Sequence, residues 1–367
     1  MNIIKKRAGF ARKLSTVIAL TTVFSVASGV STIQAKSAPA AKNGQACTKA
    51  QLNKVEGTLK CTYLPLSKKY IWLTSLKAAT ASSAKVDKSK WPKKFIVGAV
   101  PSENAASMTL KYKNFVDALS KEIGMPVEFY AATDYAGIIE AQVAGRVDLA
   151  FYGPFSYVLA KARGAKIDVV GAVVATPTAK PGYFAYGITK SSRADVTKLA
   201  DFKGKKICFV DPASTSGYLY PNAGLLAAGI DATKESTVYA GGHDSSALSV
   251  NRGTCDVGFA YDAMVDSQLI EKGDLKAGEL KVVWKSGEIA GSPMAIRVDM
   301  PKSLVDTVKS FVVKKANKTS FVAMGICKDE ATCQVIEDKS WGFVPYSDKE
   351  YDGVRQVCEA TKSSKCR

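Results

Sequence analysis

Three hydroxyl side chains stand in a row at Ser214, Thr215 and Ser216, followed by Gly217, in the stretch DPASTSGYLYP (211–221). The stretch joins a β-like run, KKICFV, to an apolar run with helical character. A helix starting here presents unpaired backbone N–H groups and the positive end of its dipole. The neighbouring hydroxyls add donors, and Gly217 leaves room for close approach. That combination can hold an anion with neutral groups. A plainer reading stands beside it: one of the hydroxyls caps the helix and the others do nothing. Nothing in the chain matches GxxxxGK followed by Ser or Thr, which argues against a nucleotide triphosphatase.

Four further residues fall at comparable places. His243 is the only histidine and follows Gly241-Gly242, where a second strand gives way to a helix. It could donate to an oxyanion or serve as a packed structural ring. Tyr135 follows one strand-like run and Tyr152 ends another, and each could pack or point a hydroxyl at a ligand. Asp262 follows the run CDVGFAY and is the nearest acid to this cluster.

The elements that must position these residues alternate. From Phe95 onward, the runs FIVGAV, VEFYAA, VDLAFYG, KIDVVGAVV, GYFAYGI, KKICFV, STVYAG, CDVGFAY and LKVVWKS read as strands, with helical stretches between most of them. Tyr112, Phe115, Val116, Leu119 and Ile123 recur at helical spacing, and Thr133 or Asp134 can cap the helix of DYAGIIEAQVAG. Strand–helix alternation predicts parallel sheets with helices on both faces, and ligands in the crevice beyond the strands' carboxyl ends.

The 367 residues carry 51 basic and 33 acidic side chains. Residues 1–35 read as a secretory signal peptide, with a basic start, an apolar stretch from Leu14 to Val30 and small residues up to Ala35. The lysines are scattered, without arginine-rich stripes or aromatic interleaving, so nucleic acid is not the expected partner. Eight cysteines in an exported chain favour disulfides. Their order suggests Cys47–Cys61, Cys327–Cys333 and Cys358–Cys366, leaving Cys208 and Cys255 in β-like runs of one region. No CxxC pair accompanies the single histidine, so no metal site or cofactor is expected. Residues 36–94 divide into a tail, a small hairpin unit pinned by Cys47 and Cys61, and a polar alanine-rich linker.

The blocks ATDYAGIIEA, VDLAFYGPFSY, DPASTSGYLYP, AGGHDSSALSV and VVWKSGEIAGSPMAIR occur in this order between residues 95 and 300. Together they resemble the phosphonate/phosphite-binding family of ABC-transporter solute receptors. The resemblance implies a two-lobed α/β Venus-flytrap fold, each lobe a mixed, mostly parallel sheet flanked by helices. Residues 95–185 plus 292–367 would form one lobe and 186–291 the other. It implies that Tyr135, Tyr152, Ser214, Thr215, Ser216 and His243 grip a PO3 head group, with no catalysis. It also implies a monomer, exported to the periplasm or cell envelope, that serves a membrane permease. Relatives that bind aminoalkyl phosphonates place acids near the ammonium group. Here one such turn is Gly291-Ser292-Pro293, and the other acid would be Asp262. The missing acid shifts the expectation toward phosphite or methylphosphonate. Phosphate, a sulfonate or another small oxyanion is the alternative cargo. A ligand sensor of a membrane signalling protein and a secreted hydrolase are the remaining readings, and the absence of GxSxG counts against the hydrolase.

Overall fold

The computed structural model describes residues 42–57, 59–64, 67–74, 87–336, 339–362 and 366. The expected signal peptide, the start of the tail and most of the linker lie outside these residues. The chain divides into two units at Ala84 and Lys85. Among the described residues no helix is long and apolar enough to cross a membrane.

The first unit is a three-stranded antiparallel sheet of Val55–Glu56, Leu59–Leu64 and Lys69–Thr74. Cys61 and Trp72 face each other across the hairpin and are buried, and Cys61 is bonded to Cys47. So small a sheet buries little apolar surface, and the crosslink compensates by restricting the unfolded chain.

The second unit holds two sheets. One has six strands, in the spatial order Gly342–Pro345, Ile167–Val174, Pro293–Arg297, Leu149–Phe151, Phe95–Ala99, Val127–Ala131. The other has five, in the order Thr237–Tyr239, Ile207–Phe209, Val257–Tyr261, Ala185–Lys190, Leu280–Lys285. Each sheet has two parallel pairings, and the rest are antiparallel. The sheets are therefore mixed, with less parallel pairing than strand–helix alternation suggests. Four of the five antiparallel pairings involve the strands at the crossings, Ala185–Lys190 and Pro293–Arg297; the fifth joins Gly342–Pro345 to Ile167–Val174.

Apolar side chains are buried on both faces of each sheet, as helices on both sides require. The helix Ala105–Ile123 shows why: Tyr112, Phe115, Leu119 and Ile123 are buried at its 3.6-residue period, while Val116, at the margin of that stripe, is half-buried. Gly182–Tyr183 pairs with Ile289–Ala290 where the chain crosses between the sheets. The Tyr351 hydroxyl donates to the Gly291 carbonyl at 2.9 Å and pins one crossing.

All four cysteine pairs expected from the sequence are bonded, with sequence separations of 14, 47, 6 and 8. Cys208 and Cys255 meet because Ile207–Phe209 and Val257–Tyr261 are parallel neighbours.

Candidate functional site

Five strands that reach the gap between the two sheets lead into residues singled out by sequence. Ser214 to Ser216 follow Ile207–Phe209, His243 follows Thr237–Tyr239, and Asp262 follows Val257–Tyr261. Tyr152 follows Leu149–Phe151, and Tyr135 opens the helix after Val127–Ala131, which Asp134 caps by accepting from the Gly137 N–H at 2.6 Å. All seven line a single cavity of about 380 Å³.

The three hydroxyls have separate surroundings. Ser214 caps the helix: its Oγ accepts the Gly217 N–H at 3.0 Å, so the plain reading holds for this residue. Thr215 Oγ1 reaches across to the other sheet and accepts the Phe155 N–H at 2.8 Å, at the start of helix Pro154–Ala162. Ser216 is buried in the same turn. Each hydroxyl that accepts one bond still has a proton to donate. The turn itself, Thr215–Leu219, is π-helical, a form that recurs at functional sites. Gly217 is required for a different reason than ligand access. A Cβ there would lie 2.4 Å from the Val210 side chain and 2.8 Å from Ser214 Oγ, so the glycine lets the turn pack onto its own strand.

His243 is buried, and burial depresses its pKa to about 3, so it is neutral at physiological pH. Its Nδ1 accepts the Tyr261 N–H at 3.2 Å. The proton must therefore sit on Nε2, which lies 3.5 Å from Ser214 Oγ, a long contact. Nε2–H is a donor aimed into the cavity. A nitrogen that carries the ring proton cannot take one from Ser214, and Nδ1 faces an N–H where a hydrolase would need a carboxylate. A protonated imidazole would lose the Tyr261 bond, so the ring stands in this structure as a neutral imidazole with its proton on Nε2.

Tyr152 is fully buried, and its hydroxyl has no hydrogen-bond partner among the described residues. Burial pushes its pKa upward and keeps it protonated. Tyr135 is buried, and its backbone N–H approaches Asp211 Oδ2 at 3.5 Å across the cleft. Asp262 is half-buried; its Oδ1 accepts the Ala263 N–H at 3.0 Å, and burial raises its pKa above the ordinary carboxylate range. It is the acid in the cavity wall, with Lys180 and Lys339 as the basic side chains of that wall. Lys339 is paired with Glu271 at 2.5 Å.

Sequence reading missed Tyr261 as the group that orients His243, and Gln268, which accepts the Tyr261 hydroxyl at 2.7 Å. It also missed a cross-cleft ion pair. Glu103, with a side chain 0% exposed, is bonded to Lys111 on its own side and to Lys272 on the other. The signal was available: Lys111 stands on the apolar face of its helix with Met108, Tyr112 and Phe115, where a lysine needs a buried partner. Among the described residues no group of three His, Cys, Asp or Glu side chains is placed to hold a metal.

Residues 97–351 match the family model described as ABC transporter, phosphonate, periplasmic substrate-binding protein. The chain is 45% identical to the phosphate-import protein PhnD of Mycolicibacterium smegmatis over 76% of this chain and 88% of that one. It is 30% identical to the phosphonates-binding periplasmic protein of Escherichia coli over 71% of this chain and 74% of that one. Its structure resembles that of a binding-protein component of an ABC phosphonate transporter from Pseudomonas aeruginosa. The TM-score is 0.63 at 25% identity, covering 73% of this chain and 86% of that one.

Proposed function

This chain belongs to the family of phosphonate periplasmic substrate-binding proteins of ABC transporters, and on that premise we propose that its cleft captures a small phosphorus oxyanion between two lobes. The observation that carries the proposal is the donor set. The Ser214, Thr215 and Ser216 hydroxyls, Tyr135, Tyr152 and the Nε2–H of His243 border one cavity with the N-terminal N–H groups of two helices. Such groups offer directional bonds to an oxyanion's lone pairs and can release it when the walls part. We take residues 95–185 with 292–367 as one lobe and 186–291 as the other, hinged at the crossing strands. The serine–histidine contact binds and does not hydrolyse, because the tautomer leaves the histidine no capacity to act as base. The protein works as an exported monomer that delivers its cargo to a membrane permease.

Phosphite and methylphosphonate suit a cavity with a single half-buried acid. An aminoalkyl chain would turn its ammonium toward Asp262 alone. The name of the 45% identical relative favours a second reading, inorganic phosphate. Calorimetric titration with phosphite, methylphosphonate, 2-aminoethylphosphonate, phosphate and sulfate separates these. Binding of one or more of the phosphorus anions at least tenfold tighter than sulfate is expected. Sulfate binding as tightly as all of them would overturn the proposal.

A further inference from the structure

Residues 36–94 hold thirteen lysines and no arginine, against only Glu56 and Asp87, a net charge of +11. Residues 95–367, which contain the cavity, hold 33 basic and 31 acidic residues, a net +2. Nearly all the positive charge beyond the leader is thus confined to the segment that the binding reaction does not use. Within its folded unit Lys42, Lys49, Lys54, Lys68 and Lys69 are exposed.

Apolar side chains stand among these lysines. Val55, paired with Lys60, is 61% exposed on one face of the sheet, and Tyr63, in line with Cys61, is 38% exposed on the other, at the hairpin tip. At the hairpin tip Tyr63 lies ring against ring with Tyr70, 4.8 Å between centroids, and pairs with it across the strands. Lys69 pairs with Leu64 in the next register position, and Lys68 precedes it in the turn. An aromatic pair flanked by lysines is the composition of a membrane interface anchor: rings settle at headgroup depth, and ammonium groups reach the phosphates.

We propose that this N-terminal unit is a docking surface for an anionic phospholipid bilayer. It goes beyond cargo capture, since it uses none of the cavity residues. The exposed Tyr63 at the hairpin tip favours a bilayer over a soluble polyanion, because its ring gains nothing from a charged polymer and loses water contact at a lipid interface. The exclusive use of lysine points the same way: arginine's fork suits individual phosphates, whereas point charges suit a diffuse anionic surface. Lysines near such a surface act together, so a handful suffices for reversible attachment.

The test is co-sedimentation of the exported, processed protein with vesicles of phosphatidylglycerol and phosphatidylcholine mixed, or of phosphatidylcholine alone. Binding only to the anionic vesicles is expected, falling at least tenfold when salt is raised to a level that collapses the Debye length. The quadruple variant K49E/K54E/K68E/K69E should lose at least tenfold in vesicle binding, and Tyr63→Ser several-fold, while both keep wild-type affinity for the cargo anion. That retained affinity separates this test from that of the cavity, and wild-type protease resistance of residues 42–74 with the Cys47–Cys61 bond intact reports a folded N-terminal unit. Equal partitioning to neutral vesicles, no partitioning to anionic ones, or full displacement by equal charge concentrations of soluble poly(glycerol phosphate) would overturn the proposal.

Discussion

The two walls of the cleft are built differently. The wall on the five-stranded side is held from within. Ser214 is engaged by Gly217, the His243 ring is fixed by the Tyr261 N–H and stands edge-on to the Tyr261 ring at 4.7 Å, and the Tyr261 hydroxyl is tied to Gln268. The wall on the six-stranded side contributes Tyr152, whose buried hydroxyl has no partner among the described residues, and the Phe155 N–H, whose partner Thr215 lies on the opposite wall. One wall is organised on its own, and the other is completed by what it meets across the cleft. If the cleft works by the proposed hinge, the organised wall would receive the anion and the other would close on it.

The most demanding test of this asymmetry is Thr215, which serves both walls. Thr215→Ala removes a donor to the anion and the acceptor for Phe155, so affinity should fall about 100-fold, near the upper end of about 1.5–3 kcal/mol for a bond to a charged group. Thr215→Ser should restore most of it, measured by calorimetry. His243→Ala should cost about ten- to a hundredfold, with His243→Gln in between because its amide keeps a donor.

Tyr152→Phe should cost about tenfold in affinity yet leave the melting temperature of the unliganded protein unchanged or raised, because it removes a buried hydroxyl that satisfies nothing. A loss of both affinity and stability would mean that this wall too is organised from within.

The sequence made the organised wall largely legible. Hydroxyl clusters, glycine pairs and the single histidine occur at strand-to-helix switches, and such switches are local in sequence. The resemblance of the surrounding blocks then gave them a role. What stayed hidden depends on segments far apart. Gly217 looked like space for a ligand, but its contact is Val210, visible only once the strand folds beside the turn. The orientation of His243 depends on Tyr261, eighteen positions away, and Lys272 reaches Glu103 across 169. Strand polarity was misjudged for a related reason: it is set by how the chain crosses between lobes, not by the residues of the strand.

Lys272→Met should accelerate anion release several-fold, read by stopped-flow. The effect is modest because Lys272 is 31% exposed and solvent screens its pairing. A separate effect, on stability and not on binding, falls on the acid limb. The His243 pKa is depressed in the folded protein to about 3 from an ordinary 6.5. The unfolded chain therefore takes up a proton first as pH falls, and stability attributable to this residue declines from about pH 6.5 downward until the folded pKa is reached. Thermal melts of His243→Gln should show a shallower decline than wild type across that window.

Glu103 has a further consequence. Its carboxylate is buried between Lys111 and Lys272, so in the proposed closure Glu103 would gain Lys272 while keeping Lys111 on its own side. Such a contact works like a detent in a latch: it does not pull the lobes together from a distance, but it delays their parting once they meet. It also lies apart from the proposed anion-binding groups, since Glu103, Lys111 and Lys272 do not line the cavity. The delay is therefore the same for every cargo. Tight and weak ligands would share a minimum dwell in the closed form, and selectivity at the permease would be exercised on receptors that all stay shut for at least that long.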